Sequence, residues 1–395
     1  MNEFIKLLEM DDQEKEKLGV VDTPREIRQQ PRTWEKAVDL VMAQKEALEI
    51  FLRDAGLAGE KESTLVMCGA GTSEFIGNSV CNLLRKGFRR EVLSIPTTSL
   101  VTHGTSILVE GRDYTVLSFA RSGNSPESVA TYDLVKKYYP EARQLVITCN
   151  REGALARRVA DDPASYCILL PEETDDRSLV MTSSFSTMVM VAACLPWLGN
   201  EDFLRETCSK LGEGAERVFS TYGDMLADFG RLPFTRACFL GSDTLLGTMQ
   251  ECQLKMQEMT DGQVAARFES FLGLRHGPQV FVNEECVIVA ALASNPAVRR
   301  YEMDMLKELK EKEQGMSTLV ICGRADEELK GITDEIIEFY PEGDPVDDQF
   351  RIMTDVAAGQ ILGTFKSMAL GLKPDCPSAA GVINRVVQGV TIYDI

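Results

Sequence analysis

Two stretches of this 395-residue chain carry side chains that could do chemistry. The first is Ala120-Arg121-Ser122-Gly123-Asn124-Ser125-Pro126, which follows the mostly apolar run Thr115-Val116-Leu117-Ser118-Phe119. Ser122 and Ser125 supply hydroxyls, and Gly123 lets the main chain approach a ligand closely. Pro126 suits the first turn of a helix, where its missing N–H costs nothing. A helix amino end presents free N–H groups and the positive end of a dipole, so this turn can cradle a phosphate ester. It holds no Gly-Lys-Ser/Thr, which disfavours a nucleoside triphosphate with magnesium. An ordinary capped strand-to-helix turn would read the same way. The second stretch is Glu251 to Met259, where Glu251, Lys255 and Glu258 fall at i, i+4 and i+7 on one helix face. Two readings share that spacing. One is a solvated, salt-bridged stripe worth roughly a few tenths of a kcal/mol per pair. The other is a carboxylate base with a lysine beside it, pointing into a cleft at a sheet edge.

The chain has two histidines, so a histidine acid or base must be His103 or His276. His276 lies in Gly273-Leu274-Arg275-His276-Gly277-Pro278, eighteen residues beyond Glu258. On one helix that is roughly 27 Å, and Gly262 and Gly273 break the path, so His276 is expected on a separate loop. A turn or capping role would suit it equally. His103 has no carboxylate close by in sequence and reads as structural. Two histidines make the usual zinc site unexpected. Gly69-Ala70-Gly71 is followed by Glu74 where a dinucleotide fingerprint wants glycine. Neither a metal nor a cofactor is expected.

The elements that must position these residues alternate. Strands are expected at Thr64 to Cys68, Glu91 to Pro96, Thr115 to Phe119, Gln144 to Cys149 and Tyr166 to Leu170. Helices are expected at about Glu74 to Lys86, after Pro126, and from Ser184 to about Leu198. That alternation implies an α/β fold with a doubly wound parallel sheet. Ala237 to Asp243 and a helix over Thr244 to Met259 repeat the plan, with further strands at Val287 to Leu292 and Ser317 to Cys322. Two loose copies of one α/β unit follow, meeting near Gly212 to Leu226. The second copy has Ala293-Ser294-Asn295-Pro296 where the first has its hydroxyl-rich turn, so one phosphate site is expected per pair of copies. The expected bounds are an N-terminal arm over 1–33, a phosphate-binding domain over 34–214, and a second domain with a C-terminal tail over 215–395. Single helices are read at Glu3 to Lys17, from Trp34 to about Leu57, and after Gly363, with a strand-like tail from Arg385 to Tyr393.

Composition narrows the function classes. A net charge of −19 speaks against nucleic acid, whose phosphates need lysine and arginine, but not against a small anion in a nest of N–H groups. No apolar run is long enough to span a bilayer, and Met1-Asn2-Glu3-Phe4 does not open a secretory signal. Eleven cysteines, with no C-x-x-C pair, suit reduced core residues in a cytoplasmic protein.

Together these stretches resemble the tandem sugar isomerase (SIS) domain family. The resemblance is carried from Trp34 onward by Gly69-Ala70-Gly71-Thr72-Ser73, Ser118 to Ser125, Met181-Thr182-Ser183-Ser184, Leu254-Lys255-Met256-Gln257-Glu258, Leu274 to Pro278, and the tail Asn384 to Thr391. The opening phrase Thr23 to Pro31 and the ending are similar to the tagatose-6-phosphate ketose/aldose isomerase and galactosamine-6-phosphate deaminase subgroup. The resemblance implies two SIS domains, with Ser73, Arg121, Ser122 and Ser125 holding a phosphate. It implies Glu258 as the proton-shuttling base beside Lys255, and His276 as a ring-opening residue given by a neighbouring subunit. Thr182, Ser183 and Gln388 join the substrate side. The position of Ala120 is a serine in the related synthase, and Gln388 stands where that synthase has a lysine, so acid–base chemistry replaces a lysine imine. The implied reaction is deamination and isomerisation of a hexosamine 6-phosphate, best galactosamine 6-phosphate, to tagatose 6-phosphate and ammonia. Hydrolase and isomerase chemistry would share one site, in a homodimer or homotetramer with sites at subunit interfaces. Plain aldose–ketose isomerisation, a deglycase and a non-catalytic phosphosugar sensor are the alternatives.

Overall fold

A computed structural model of the chain describes residues 1–387 and 389–393. The strands are β1 (Thr64–Cys68), β2 (Val92–Ser94), β3 (Tyr114–Ala120), β4 (Arg143–Thr148), β5 (Ser165–Leu169), β6 (Arg236–Gly241), β7 (Ala265–Ser270), β8 (Cys286–Leu292), β9 (Ser317–Cys322) and β10 (Glu335–Glu338). They form two five-stranded sheets, ordered β2-β1-β3-β4-β5 and, read from its β7 edge, β7-β6-β8-β9-β10. Every pairing is parallel. The second sheet therefore repeats the first strand for strand, and the expected doubly wound α/β fold occurs twice. Buried on both faces, β3 and β8 read as near-continuous apolar runs.

The chain condenses into two units. One comprises residues 1–31, 177–182 and 209–382, and holds β6 to β10. The other comprises 32–176, 183–208 and the tail from Ile383, and holds β1 to β5. The first 31 residues thus pack with the second sheet, and the tail with the first. Each expected half, 34–214 and 215–395, contains one whole sheet. No helix among the described residues is long and apolar enough to cross a membrane.

Several elements differ from the sequence reading, for local reasons. The expected helix from Glu3 to Lys17 is two, Glu3–Glu9 and Asp12–Leu18, because the Asp11 carboxylate accepts from Glu14 N at 3.0 Å and starts a new helix there. The expected helix from Trp34 is two, Gln30–Ala43 and Lys45–Asp54, separated at Gln44 (φ −108°, ψ 8°). Thr97–Ile107 is helical although its hydroxyls and β-branched residues are poor helix formers, and it kinks at His103. The edge strands β7 and β10 lie outside the sequence reading because each is short, half polar and little buried. Ile352–Ala369 begins well before Gly363. Its first turns carry buried polar groups, Thr354, Asp355 and Gln360, which interrupt the apolar pattern. The tail joins no ladder among the described residues. Gly389 takes φ 77°, and Arg385 is pinned by its side chain rather than by strand pairing.

Candidate active site

β1 and β3 are neighbours, with Cys68 opposite Ser118, and the strand order reverses between them. Their carboxyl ends therefore flank the crevice where open α/β sheets take ligands. After β1 the chain folds back sharply at Gly69, where a Cβ would lie 2.4 Å from the Ser73 carbonyl carbon. Gly71 (φ 56°, ψ −129°) then caps the helix Thr72–Phe88 and places the buried Ser73 in its first turn. After β3 the turn is built from side-chain and main-chain staples. Asn150 Nδ2 donates to Ser122 O at 2.9 Å, Ala154 N to Asn124 Oδ1 at 3.0 Å, and Leu155 N to Gly123 O at 3.0 Å. Ser125 precedes the helix Pro126–Tyr138, and its hydroxyl bonds Ser128 at 2.6 Å. Among the described residues no acceptor takes the main-chain N–H of Ser122, Gly123 or Ser125. Three donors at a helix amino end form a nest for an anion.

Arg121 is 7 % exposed, and one guanidinium nitrogen donates to Arg385 O at 2.7 Å. Burial lowers its pKa, and the nearby Asp176 carboxylate partly offsets that. Asp176 is fully buried and caps the helix Ser183–Cys194. It accepts from Ser183 N and Oγ at 3.2 and 2.5 Å, and from Ser184 N and Oγ at 2.9 and 2.6 Å. The Ser183 hydroxyl is thus committed to Asp176. Thr182 is also fully buried, and its carbonyl accepts from Gln360 at 3.4 Å.

The second copy has the same frame with different contents. At Gly241 a Cβ would lie 2.5 Å from Leu245 O, and Asp243 (φ 52°, ψ −124°) repeats the backbone of Gly71 before the helix Thr244–Met259. After β8, however, two of the turn's donors are already spent. Ala293 N donates to the buried Glu302 carboxylate at 2.7 Å, and Ser294 N to Asp348 at 2.6 Å. Arg351 pairs with Asp348 at 2.9 Å and with Asp355 at 2.7 Å, keeping the charges balanced.

The helix Thr244–Met259 carries the acid–base row. Lys255 is fully buried, its Nζ 2.6 Å from Glu258 Oε2 and 3.3 Å from Glu251 Oε1. Glu251 is fully buried and Glu258 is 24 % exposed. A solvated stripe is ruled out by that burial. Burial pulls the Lys255 pKa down, but the two carboxylates outweigh it and hold the ammonium above the ordinary lysine value. Glu258 is the member of the row that solvent, and hence a small molecule, can reach.

His276 lies beyond the short helix Phe271–Leu274, with its main-chain N bonded to Gly273 O at 2.9 Å. Its ring is exposed and makes no hydrogen bond among the described residues. Arg275 and Gln279 tie this loop to Glu308 at 2.7 and 3.1 Å, and Lys312, with Arg275 and Gln279 after it, holds the Glu308 carboxyl down to about 2. The structure therefore joins Lys255 to Glu258, and Arg121, Ser122 and Ser125 in one turn. It does not join His276 to the row. Gln388 lies outside the described residues. Three residues with a stake in these clusters were missed as site residues. Glu251 was visible at i−4 from Lys255, Asp176 sat in an acidic run, and Arg385 lay in the tail motif.

No family model matches the chain. The chain is 35% identical over 372 residues to the D-galactosamine-6-phosphate deaminase AgaS of Escherichia coli, covering 94% of this chain and 95% of that one. A candidate tagatose-6-phosphate ketose/aldose isomerase from Clostridium novyi NT superposes with a TM-score of 0.92 at 32% identity, over 96% of this chain and 97% of the other. The tagatose-6-phosphate ketose/aldose isomerase of Escherichia coli superposes with a TM-score of 0.84 at 32% identity, over 94% and 96%. The chain belongs to the family of these D-galactosamine-6-phosphate deaminases and tagatose-6-phosphate ketose/aldose isomerases, built on two sugar isomerase domains.

Proposed function

We propose that the chain converts a 2-amino-2-deoxyhexose 6-phosphate, best galactosamine 6-phosphate, to tagatose 6-phosphate and ammonia. The phosphate sits in the nest after β3, held by Ser122, Ser125, Arg121 and, from the turn after β1, Ser73. Glu258 removes the C2 proton of the opened sugar and returns it at C1, through an enolamine. The resulting C2 imine takes up water and releases ammonia, which is the hydrolase half of the reaction. With a hydroxyl at C2 the same proton shift gives aldose–ketose isomerisation and nothing is released. The observation that carries this reading is the row itself: one reachable carboxylate held 2.6 Å from a buried ammonium. Such a carboxylate has a fixed direction and a local cation to balance charge as the enolamine forms.

His276 acts on the ring oxygen. Its exposed ring, free of hydrogen bonds among the described residues, supports delivery to a neighbouring copy in a homodimer or homotetramer. Thr182, Ser183 and Gln388 belong to the same proposal, with both the hydroxyl and the main-chain N–H of Ser183 engaged by Asp176. The domain bounds 34–214 and 215–395 and a cytoplasmic location complete it. Purified protein should release ammonia and a ketose phosphate in equal amounts from galactosamine 6-phosphate. Release of neither, from the galacto or the gluco isomer, would end the proposal. Interconversion of tagatose 6-phosphate and its aldose with no ammonia from either amino sugar would favour plain isomerisation, the activity that the Escherichia coli structure's name states.

A further inference from the structure

The tail motif Asn384 to Thr391 is longer than any role given so far requires, and the structure shows what one of its residues does. Arg385 faces two ways. Its guanidinium Nε donates to the carbonyl of Asp176 at 2.7 Å, and Nη2 pairs with the Asp175 carboxylate. Its own carbonyl accepts from the guanidinium of Arg121 at 2.7 Å. One tail residue thus bridges the first residue of the phosphate turn and the 175–176 corner. The Asp176 carboxylate in turn caps the helix Ser183–Cys194. Arginine is suited to this: its planar fork meets two acceptors at fixed angles.

The charges point the same way. Arg121 and Arg385 repel each other and are offset by Asp175 and Asp176. Two cations are therefore held beside a nest that itself favours an anion. Without Arg385, Arg121 would lose the carbonyl acceptor 2.7 Å from its fork.

We propose that Arg385 is a positioning residue for the phosphate cradle: it sets Arg121 and the 175–176 corner in the arrangement that receives the ester. This rests on the reading of the turn after β3 as the phosphate site. Binding of the ester is shared by ground and transition states, so losing the brace raises KM and leaves kcat nearly unchanged.

The test uses the full-length chain, with inorganic phosphate as the calorimetric probe and galactosamine 6-phosphate as substrate. Arg385→Ala should raise the phosphate Kd and the KM roughly tenfold, with kcat within about twofold. The double variant with Arg121→Ala should bind phosphate no more weakly than Arg121→Ala alone, because the two act as one unit. Arg385→Lys should recover part of the loss, since it keeps the charge but not the fork. Should Arg385→Ala fail to fold, Arg385→Lys and Asp175→Asn carry the test, each raising Kd with melting temperature held. A weakened Arg121→Ala with an unchanged Arg385→Ala, or strictly additive losses, would overturn the positioning role while leaving the cradle intact. If neither Arg121→Ala nor Ser122→Ala alters phosphate binding, the cradle reading falls and this proposal with it.

Discussion

Replacing Glu258 by glutamine separates chemistry from stability, because the two carboxylates around Lys255 differ in burial. In Glu258→Gln the side-chain carbonyl can still accept from Lys255, now 2.6 Å away, and Glu251 still balances the ammonium. The lost charge is partly solvated, so the stability cost should be about 1 kcal/mol or less. The proposed proton acceptor is gone, however. Turnover should fall roughly 10²- to 10⁴-fold, an added barrier of about 2.7–5.5 kcal/mol. KM should move only a fewfold, since the phosphate contacts are untouched. Glu251→Gln is the contrasting perturbation. Both it and Lys255 are fully buried, and breaking a buried pair costs about 3–5 kcal/mol. The remaining bond to Glu258 places this variant at the lower end, with a smaller loss of turnover per folded molecule. Ammonia release, ketose formation and solvent deuterium exchange at C2 report the chemistry, and urea denaturation reports the fold. Glu258→Gln with more than a tenth of the original turnover, or with C2 exchange intact, would refute the assignment. So would a loss no larger than the unfolded fraction explains.

Ser122→Ala removes a hydroxyl whose protein contact is a long one, from Asn124 N at 3.3 Å; KM should rise roughly ten- to a hundredfold, as for one charge-assisted hydrogen bond, and a fall in kcat at constant KM would contradict phosphate binding. Calorimetry with inorganic phosphate should give one site per chain, because Glu302 and Asp348 occupy the second cradle's donors; a stoichiometry of two would show those carboxylates to be displaceable. Lys366 gives a pH test. Its Nζ lies 2.8 Å from Leu232 O and 3.7 Å from the Phe234 ring centroid, and burial holds its pKa down to about 8. From pH 8 up to the ordinary lysine range the unfolded chain binds this proton and the folded chain does not, so wild-type stability rises with pH across that window. Lys366→Met lacks the effect: its stability relative to wild type, from urea denaturation, should be highest near pH 7 and fall by up to about 3 kcal/mol by pH 10. A difference independent of pH would refute the buried ammonium.

The legible parts of the fold were those where one physical signal dominates. β1, β3, β8 and β9 are short apolar runs ended by small-residue turns, and they stand within a residue or so of where the pattern put them. The helix Thr244–Met259 matched its expected bounds because it follows a strand and a small-residue turn, Gly241-Ser242-Asp243. Where signals competed, tertiary burial won. Thr97–Ile107 is helical against its propensity, and Ile352–Ala369 buries Thr354, Asp355 and Gln360 that would mark a surface helix. At the candidate site, the turn after β3 and the Glu258–Lys255 pair were legible because they are local. Arg385 was not, since its meaning comes from contacts 209 and 264 residues away in sequence.

The two cradles show why the repeat holds one candidate site. Gly71 and Asp243 adopt nearly the same backbone, although that conformation favours glycine and strains an aspartate. Gly69 and Gly241 both admit a chain that a Cβ would block. The frame is therefore held to closely in both copies, even where a residue costs strain. What changed is who satisfies the donors. In the first copy the N–H groups of Ser122, Gly123 and Ser125 face no acceptor among the described residues; in the second, Glu302 and Asp348 arrive from later elements and take those of Ala293 and Ser294. There the Asp348 carboxylate on Ser294 N is itself paired with Arg351 at 2.9 Å. One frame with its donors open in the first copy and two of them taken by carboxylates in the second supports the proposal of a single anion site per chain, in the first turn.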